Sequence, residues 1–225
     1  MSTGERILVI ASHPDDEVLG CGGVMARHAA AGDEVHVLVM SRGVEEMFPA
    51  DLIARTREEL AVAHSLIGVK TATFLDFPAP KLDMVPGHQL ADALLGQLRK
   101  IRPDVLYIPY QGDLHSDHKA TYWAALVAAR PTGGTSPSRV LCYETLSETE
   151  WGAPSSSEAF VPTVFVNIAA YIPLKLRAMA CYETQLRASP HPRSLKAIKA
   201  LAVYRGASVS VAAAEAFVLV REVSR

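Results

Sequence analysis

Residues 6–23 read RILVIASHPDDEVLGCGG: an apolar run at 7–11, a polar turn at 12–17, then a segment of helical character. The run is short, rich in β-branched residues and unbroken by polar ones, as a strand buried on both faces must be. His13 and Pro14 end it, and the acids Asp15, Asp16 and Glu17 open the next segment, where negative charge favours a helix start. Strand, tight turn and helix make the first βα unit of a parallel sheet. The same order returns along the chain, with strands predicted at 34–40, 71–77 and 105–109 and helices at 18–31, 50–66, 89–101 and 117–130. Gly32 and Gly68 follow the first two helices as stop signals. Beyond residue 130 the pattern loosens. Loop compositions at 131–137 (PTGGTSP) and 152–157 (GAPSSS) flank a strand at 139–145, followed by strands at 164–168 and 216–223 and helices at 173–186 and 194–204. The expected fold class is α/β, a Rossmann-like, mostly parallel sheet with helices on both faces and a loop-rich C-terminal cap. One domain over residues 1–225 is expected, its core in 1–130 and its cap and remaining strands in 131–225.

The composition narrows the function. The chain has 225 residues, 49% hydrophobic and 20% charged, with a formal net charge of −2. It is too apolar to be disordered, and a chain of this length hides roughly 70% of its unfolded surface. Lys and Arg are scattered, so there is no footprint for nucleic acid and no basic block for a membrane surface. Cys21, Cys142 and Cys181 are odd in number and widely spaced, which fits reduced thiols and a cytoplasmic protein. The five apolar residues at 7–11 are too few for a signal peptide or a membrane span. Eight histidines remain, and their positions carry the functional reading.

His13-Pro14-Asp15-Asp16-Glu17 follows the first strand directly, and ligands of open parallel sheets bind beyond the carboxyl ends of strands. His13 and Asp16 can both reach one metal ion from a tight turn, while Asp15 points elsewhere and stays free as a base. The plain alternative is that Asp15 or Asp16 caps the next helix. Against it stand four ionisable groups in five positions, whose mutual repulsion a cation would relieve. Asp113-Leu114-His115-Ser116-Asp117-His118 follows the fourth strand, again at a carboxyl end. Together the two clusters supply His and Asp from the first loop and a His from the second. Three protein ligands with an open fourth position suit a catalytic zinc, and the unpaired cysteines speak against a structural one. The same donor set accepts iron(II) or cobalt(II).

ASHPDDEVLGCGG together with the later HSDH resembles the LmbE and PIG-L family of zinc-dependent N-deacetylases, which remove acetyl from N-acetylglucosamine units. The resemblance spans most of the chain. It implies His13, Asp16 and His118 as zinc ligands, Asp15 as general base, and His115 as the group that stabilises the oxyanion and protonates the leaving amine. Asp117 would orient His115 and favour its imidazolium form. Where some members carry a tyrosine two residues before the catalytic histidine, this chain has Asp113, a candidate substrate contact. For the substrate-binding arginine common on the family's second helix, the register leaves Thr56 at one position and Arg55 and Arg57 on either side, so both arginines are candidates. Arg42, after the second strand, and His191 and Arg193 in PHPRS, at a helix N-terminus suited to anions, complete the substrate-binding candidates. The expected partner is a small-molecule N-acetyl sugar or sugar conjugate, and the apolar loops after residue 130 leave room for a homo-oligomer.

Two other readings are testable. A metal-dependent amidase acting on a non-sugar amide or a sugar conjugate would use the same residues. A nucleotide-binding module could use Gly20, Gly22 and Gly23, but these come late, inside the helix, and HPDDE would repel a pyrophosphate.

Overall fold

The computed structural model describes residues 4–132, 136–153, 155 and 157–224. Within the two predicted loops, positions 133–135, 154 and 156 lie outside the described residues. The elements run β1 (Arg6–Ala11), α1 (Asp16–Ala31), β2 (Glu34–Gly43), α2 (Ala50–Ile67), β3 (Thr71–Ala79), a short 3-10 turn (Leu82–Met84), α3 (Gly87–Ile101), β4 (Val105–Pro109) and α4 (Ser116–Ala128). There follow β5 (Arg139–Tyr143), β6 (Val164–Asn167), α5 (Ile172–Ala180), α6 (Leu195–Ala207) and β7 (Ala214–Glu222).

The strands form one sheet in the order β3-β2-β1-β4-β5-β7-β6, parallel except for β7, which runs antiparallel to both neighbours. Side chains of β1 alternate between two cores, as a period of two requires. Ile7 and Val9 pack with Val18 of α1, Leu60 of α2 and Met179 of α5, while Leu8 and Ile10 pack with Leu94 of α3 and Ala125 of α4. Burial on both faces explains why the strands read as continuous apolar runs. From β1 the chain winds outward through β2 and β3, then returns to place β4 on the other side of β1. The crevice at that reversal lies beyond the carboxyl ends of β1 and β4, and each end continues into one of the two histidine clusters. Among the described residues no helix is long and apolar enough to cross a membrane.

Helices α1 and α2 end at Gly32 and Gly68, whose φ of 88° and 89° suit a residue without a Cβ. Three elements are among those that depart from expectation. β2 and β3 extend to Gly43 and Ala79 through a register irregularity between Val39 and Ser41. α5 stops at Ala180 instead of 186, because the Glu59 carboxylate takes the Thr184 N–H and, at 2.5 Å, its hydroxyl. That pull turns residues 182–187 toward the carboxyl end of the sheet.

The α1 glycines serve close packing. A Cβ on Gly20 would lie 2.2 Å from Cδ2 of Tyr143, and one on Gly23 would lie 2.6 Å from Cδ1 of Ile168. The Tyr143 ring is fully buried and its hydroxyl donates to the Ile10 carbonyl at 2.8 Å, so it cannot yield. Gly20→Ala is therefore expected to cost about 1–3 kcal/mol by overpacking. Calorimetry should read this as a Tm lowered by roughly 2–12 °C in a chain of this size. An unchanged Tm would mean that the ring moves after all.

Candidate active site

The turn after β1 is built around Asp15, whose φ of 113° is rare for a residue with a side chain and costs of order 1–3 kcal/mol. Its carbonyl accepts the N–H groups of Val18 and Leu19, starting α1. Its carboxylate makes no capping bond, so the cap alternative for Asp15 does not hold in the structure. Asp16 bends back, and its Oδ2 accepts the His13 N–H at 2.8 Å. The same Oδ2 lies 3.6 Å from His13 Nδ1 and 3.3 Å from His118 Nε2. Ligand atoms from His13, Asp16 and His118 all fall within 4.8 Å of one another.

Each histidine in this group is held from behind by a buried carboxylate. His13 Nε2 lies 3.0 Å from Asp117 Oδ2, and His118 Nδ1 lies 2.8 Å from Asp113 Oδ2. Asp113 and Asp117 are themselves fully buried and satisfied, Asp113 by the Thr149 hydroxyl at 2.6 Å and Asp117 by the Leu82 N–H at 2.9 Å. A carboxylate behind an imidazole fixes its orientation and leaves the other nitrogen as a metal ligand. His118 Nε2, buried and without a hydrogen-bond partner among the described residues, is such a nitrogen. The residues thus fit a divalent metal.

The electrostatics agree. Burial opposes a charge on His13, but the Asp117 and Asp16 carboxylates outweigh it and raise its pKa to about 9. Burial likewise opposes a charge on His118, and Asp16 with Asp113 overrides it. Asp16 is held well below the usual carboxylate range despite its burial, by His118 and then His13. Positive charge is wanted at this point.

Two expectations change here. Asp113 does not contact substrate space, because the turn leading into α4 folds it beneath His118. Asp117 does not present its carboxylate to His115. Instead its backbone N–H donates to His115 Nδ1 at 3.1 Å, and its carboxylate serves His13. Burial, then the neighbouring His13, lower the His115 pKa against the pull of Asp117, so the expected imidazolium is not favoured. The His115 ring remains in the cluster, its centroid 4.7 Å from that of His13.

Of these groups His13, Asp16 and His115 line a cavity of about 410 Å³. Asp15 lines it, with Oδ2 buried and without a hydrogen-bond partner among the described residues, 3.6 Å from Arg193 Nη1. Burial and then the Asp16 charge push the Asp15 pKa well up. Of the other arginine candidates, Arg42 and Arg57 line the cavity but hold Glu45 and Asp76. Arg55 does not, and turns to Glu59 and, at 2.5 Å, to Glu183. Thr56 occupies the inward position between them. His191 also lies outside the lining, its ring edge-to-face with Trp151 and its Nδ1 accepting the Arg193 N–H. Glu148, Thr184, Gln185 and Arg187 line the cavity without having been singled out in the sequence. Their signal was faint: a polar YETQ run at 182–185 inside a segment that reads as helix.

Residues 8–129 match the PIG-L family, described as GlcNAc-PI de-N-acetylase. The chain belongs to the PIG-L family. This PIG-L protein is 33% identical over 183 residues to the uncharacterized deacetylase YaiS of Escherichia coli K12, across 77% of the chain and 88% of the relative. It is 26% identical over 191 residues to diacetylchitobiose deacetylase of Thermococcus kodakarensis, across 80% and 70%. The crystal structure of the conserved protein TT1542 from Thermus thermophilus superposes with a TM-score of 0.78 at 30% identity, covering 98% of this chain and 97% of that one.

Proposed function

We propose that this PIG-L protein is a zinc-dependent N-deacetylase that removes acetyl from an N-acetylated amino sugar, with iron(II) or cobalt(II) able to take the place of zinc. The observation that carries the reading is the pair of imidazoles, each backed by a buried carboxylate, converging with Asp16 beside Asp15, whose Oδ2 has no hydrogen-bond partner among the described residues. The deacetylase names of its relatives, one of them acting on diacetylchitobiose, support the class of substrate.

His13, Asp16 and His118 would hold the metal. When bound, such a metal supplies a water of lowered pKa and polarises the substrate carbonyl. Asp15, adjacent to the ligands but not among them, takes the proton from the attacking water. With Nδ1 of His115 engaged by a backbone N–H, a neutral ring carries its proton on Nε2 and donates it as a hydrogen bond to the developing oxyanion. Asp15 then returns its proton to the departing amine, so that amine and acetate leave together. Arg193 steadies the Asp15 carboxylate, and the Thr184–Arg187 wall receives the rest of the substrate.

The test is acetate release by zinc-loaded protein over N-acetylglucosamine, N,N'-diacetylchitobiose and nucleotide- and lipid-linked N-acetylhexosamines. One acetate per free amine formed is expected from at least one of them. Release from non-sugar amides alone would make the protein an amidase of another kind.

A further inference from the structure

Glu17 is fully buried, is not one of the converging metal-site groups, and has no part in the reaction just described. Its Oε1 accepts the Tyr182 hydroxyl at 2.5 Å and faces His64 Nε2 at 3.0 Å, and its Oε2 accepts the Asp15 N–H at 3.1 Å. These partners come from three places: the turn after β1, the last part of α2, and the segment after α5 that leads into the cavity wall at Thr184 and Gln185. We propose that Glu17, held by His64 and Tyr182, is a positioning residue that sets the direction of the Asp15 carboxylate and couples it to the substrate-facing wall. The inference rests on the reading of Asp15 as the base.

The physical argument begins with the Asp15 backbone. At φ 113° and ψ −28° the residue sits where a side chain is disfavoured, so something must hold it. Its carbonyl is tied into the first turn of α1, and its N–H is tied to Glu17. With both sides of the residue fixed, Asp15 and Asp16 diverge, one toward the cavity and the other toward the histidines. A buried carboxylate is a costly way to fill space, and apolar residues of similar volume often stabilise as well or better. What an apolar side chain could not do is accept the Asp15 N–H. Tyr182 stands two residues before Thr184, so the same carboxylate that holds the base also fixes the start of the wall against which substrate must lie.

Glu17→Gln keeps the volume and loses the function. An amide has one oxygen, so if that oxygen stays with Tyr182 and His64, its NH2 faces the Asp15 N–H. Zinc per chain, kcat and KM should be measured with N,N'-diacetylchitobiose as probe, alongside a crystal structure of the variant. The expected result is unchanged zinc, KM within twofold, kcat lowered about 10–100-fold by a misplaced base, and an Asp15 relaxed from its positive φ. Tyr182→Phe, which removes one support of Glu17 and also unties the start of the wall, should lower kcat at smaller amplitude and raise KM with it, and it carries the test if Glu17→Gln does not fold. Unchanged kcat, a loss confined to KM or zinc, or an Asp15 that keeps its conformation would each overturn the proposal. If the wild-type protein releases acetate from none of the N-acetyl sugars named above, the deacetylase reading fails on its own, and the Asp15 geometry in the variant still decides whether Glu17 positions it.

Discussion

Asp15→Asn is expected to lower kcat by about 10²–10⁴, the range a positioned base contributes, while zinc per chain stays at the wild-type value. Asparagine has nearly the same shape but cannot accept the proton from water. The ligand atoms of His13, Asp16 and His118 converge without Asp15, so the metal site is untouched. Stability should move the other way. The Asp15 carboxylate is buried, lacks a hydrogen bond at Oδ2 among the described residues and faces the Asp16 charge, all of which favour its neutral form. A neutral amide relieves that, so Tm should be equal to or above that of the wild type, the trade often found where a site is built for chemistry. Turnover within threefold of wild type would remove Asp15 from the reaction.

His118→Ala should do more damage, and of a different kind. Wild-type protein stripped by a chelator is expected to lose activity and regain it on adding zinc. The variant should bind less than a tenth of the zinc after dialysis and regain nothing. Removing the imidazole also strips Asp113 of its 2.8 Å partner and Asp16 of its main stabiliser, both buried. Breaking a buried pair from one side costs about 3–5 kcal/mol, a Tm loss of roughly 6–20 °C at this chain length. Full zinc occupancy with activity in the variant would dismiss the proposed ligand set.

Much of this could be read from the chain. The apolar runs of β1, β2 and β4 have no polar face because both faces are covered, so their nature and order were plain. The two histidine clusters could be placed at carboxyl ends because each follows its strand within one to three residues. Spacing could not say which acid would stand behind which imidazole. Asp113 and Asp117 differ by four positions, yet one serves His118 and the other His13, a choice made by the turn into α4 and by the Leu82 N–H. The YETQ segment was obscured for a similar reason: local propensity favours helix, and the contact that ends it comes from Glu59, 125 residues away. His64 looked like an ordinary helical residue, since nothing nearby in sequence announces its meeting with Glu17.

The bend that Glu59 imposes on residues 182–187 also bears on how such a protein changes over time. The proposed metal ligands, the proposed base Asp15 and His115 all lie between residues 13 and 118, inside the stretch that matches the family at 8–129. The cavity walls at Leu146, Glu148, Gln185, Arg187 and Arg193 all lie beyond it. Reaction and selectivity are thus partly separated along the chain: Arg42, Thr56 and Arg57 of the earlier part also line the cavity, but much of the wall comes from the later part. Drift in the later part can admit a new aglycone while the earlier part keeps the same bond-breaking apparatus, so inherited chemistry and acquired taste can evolve at different speeds.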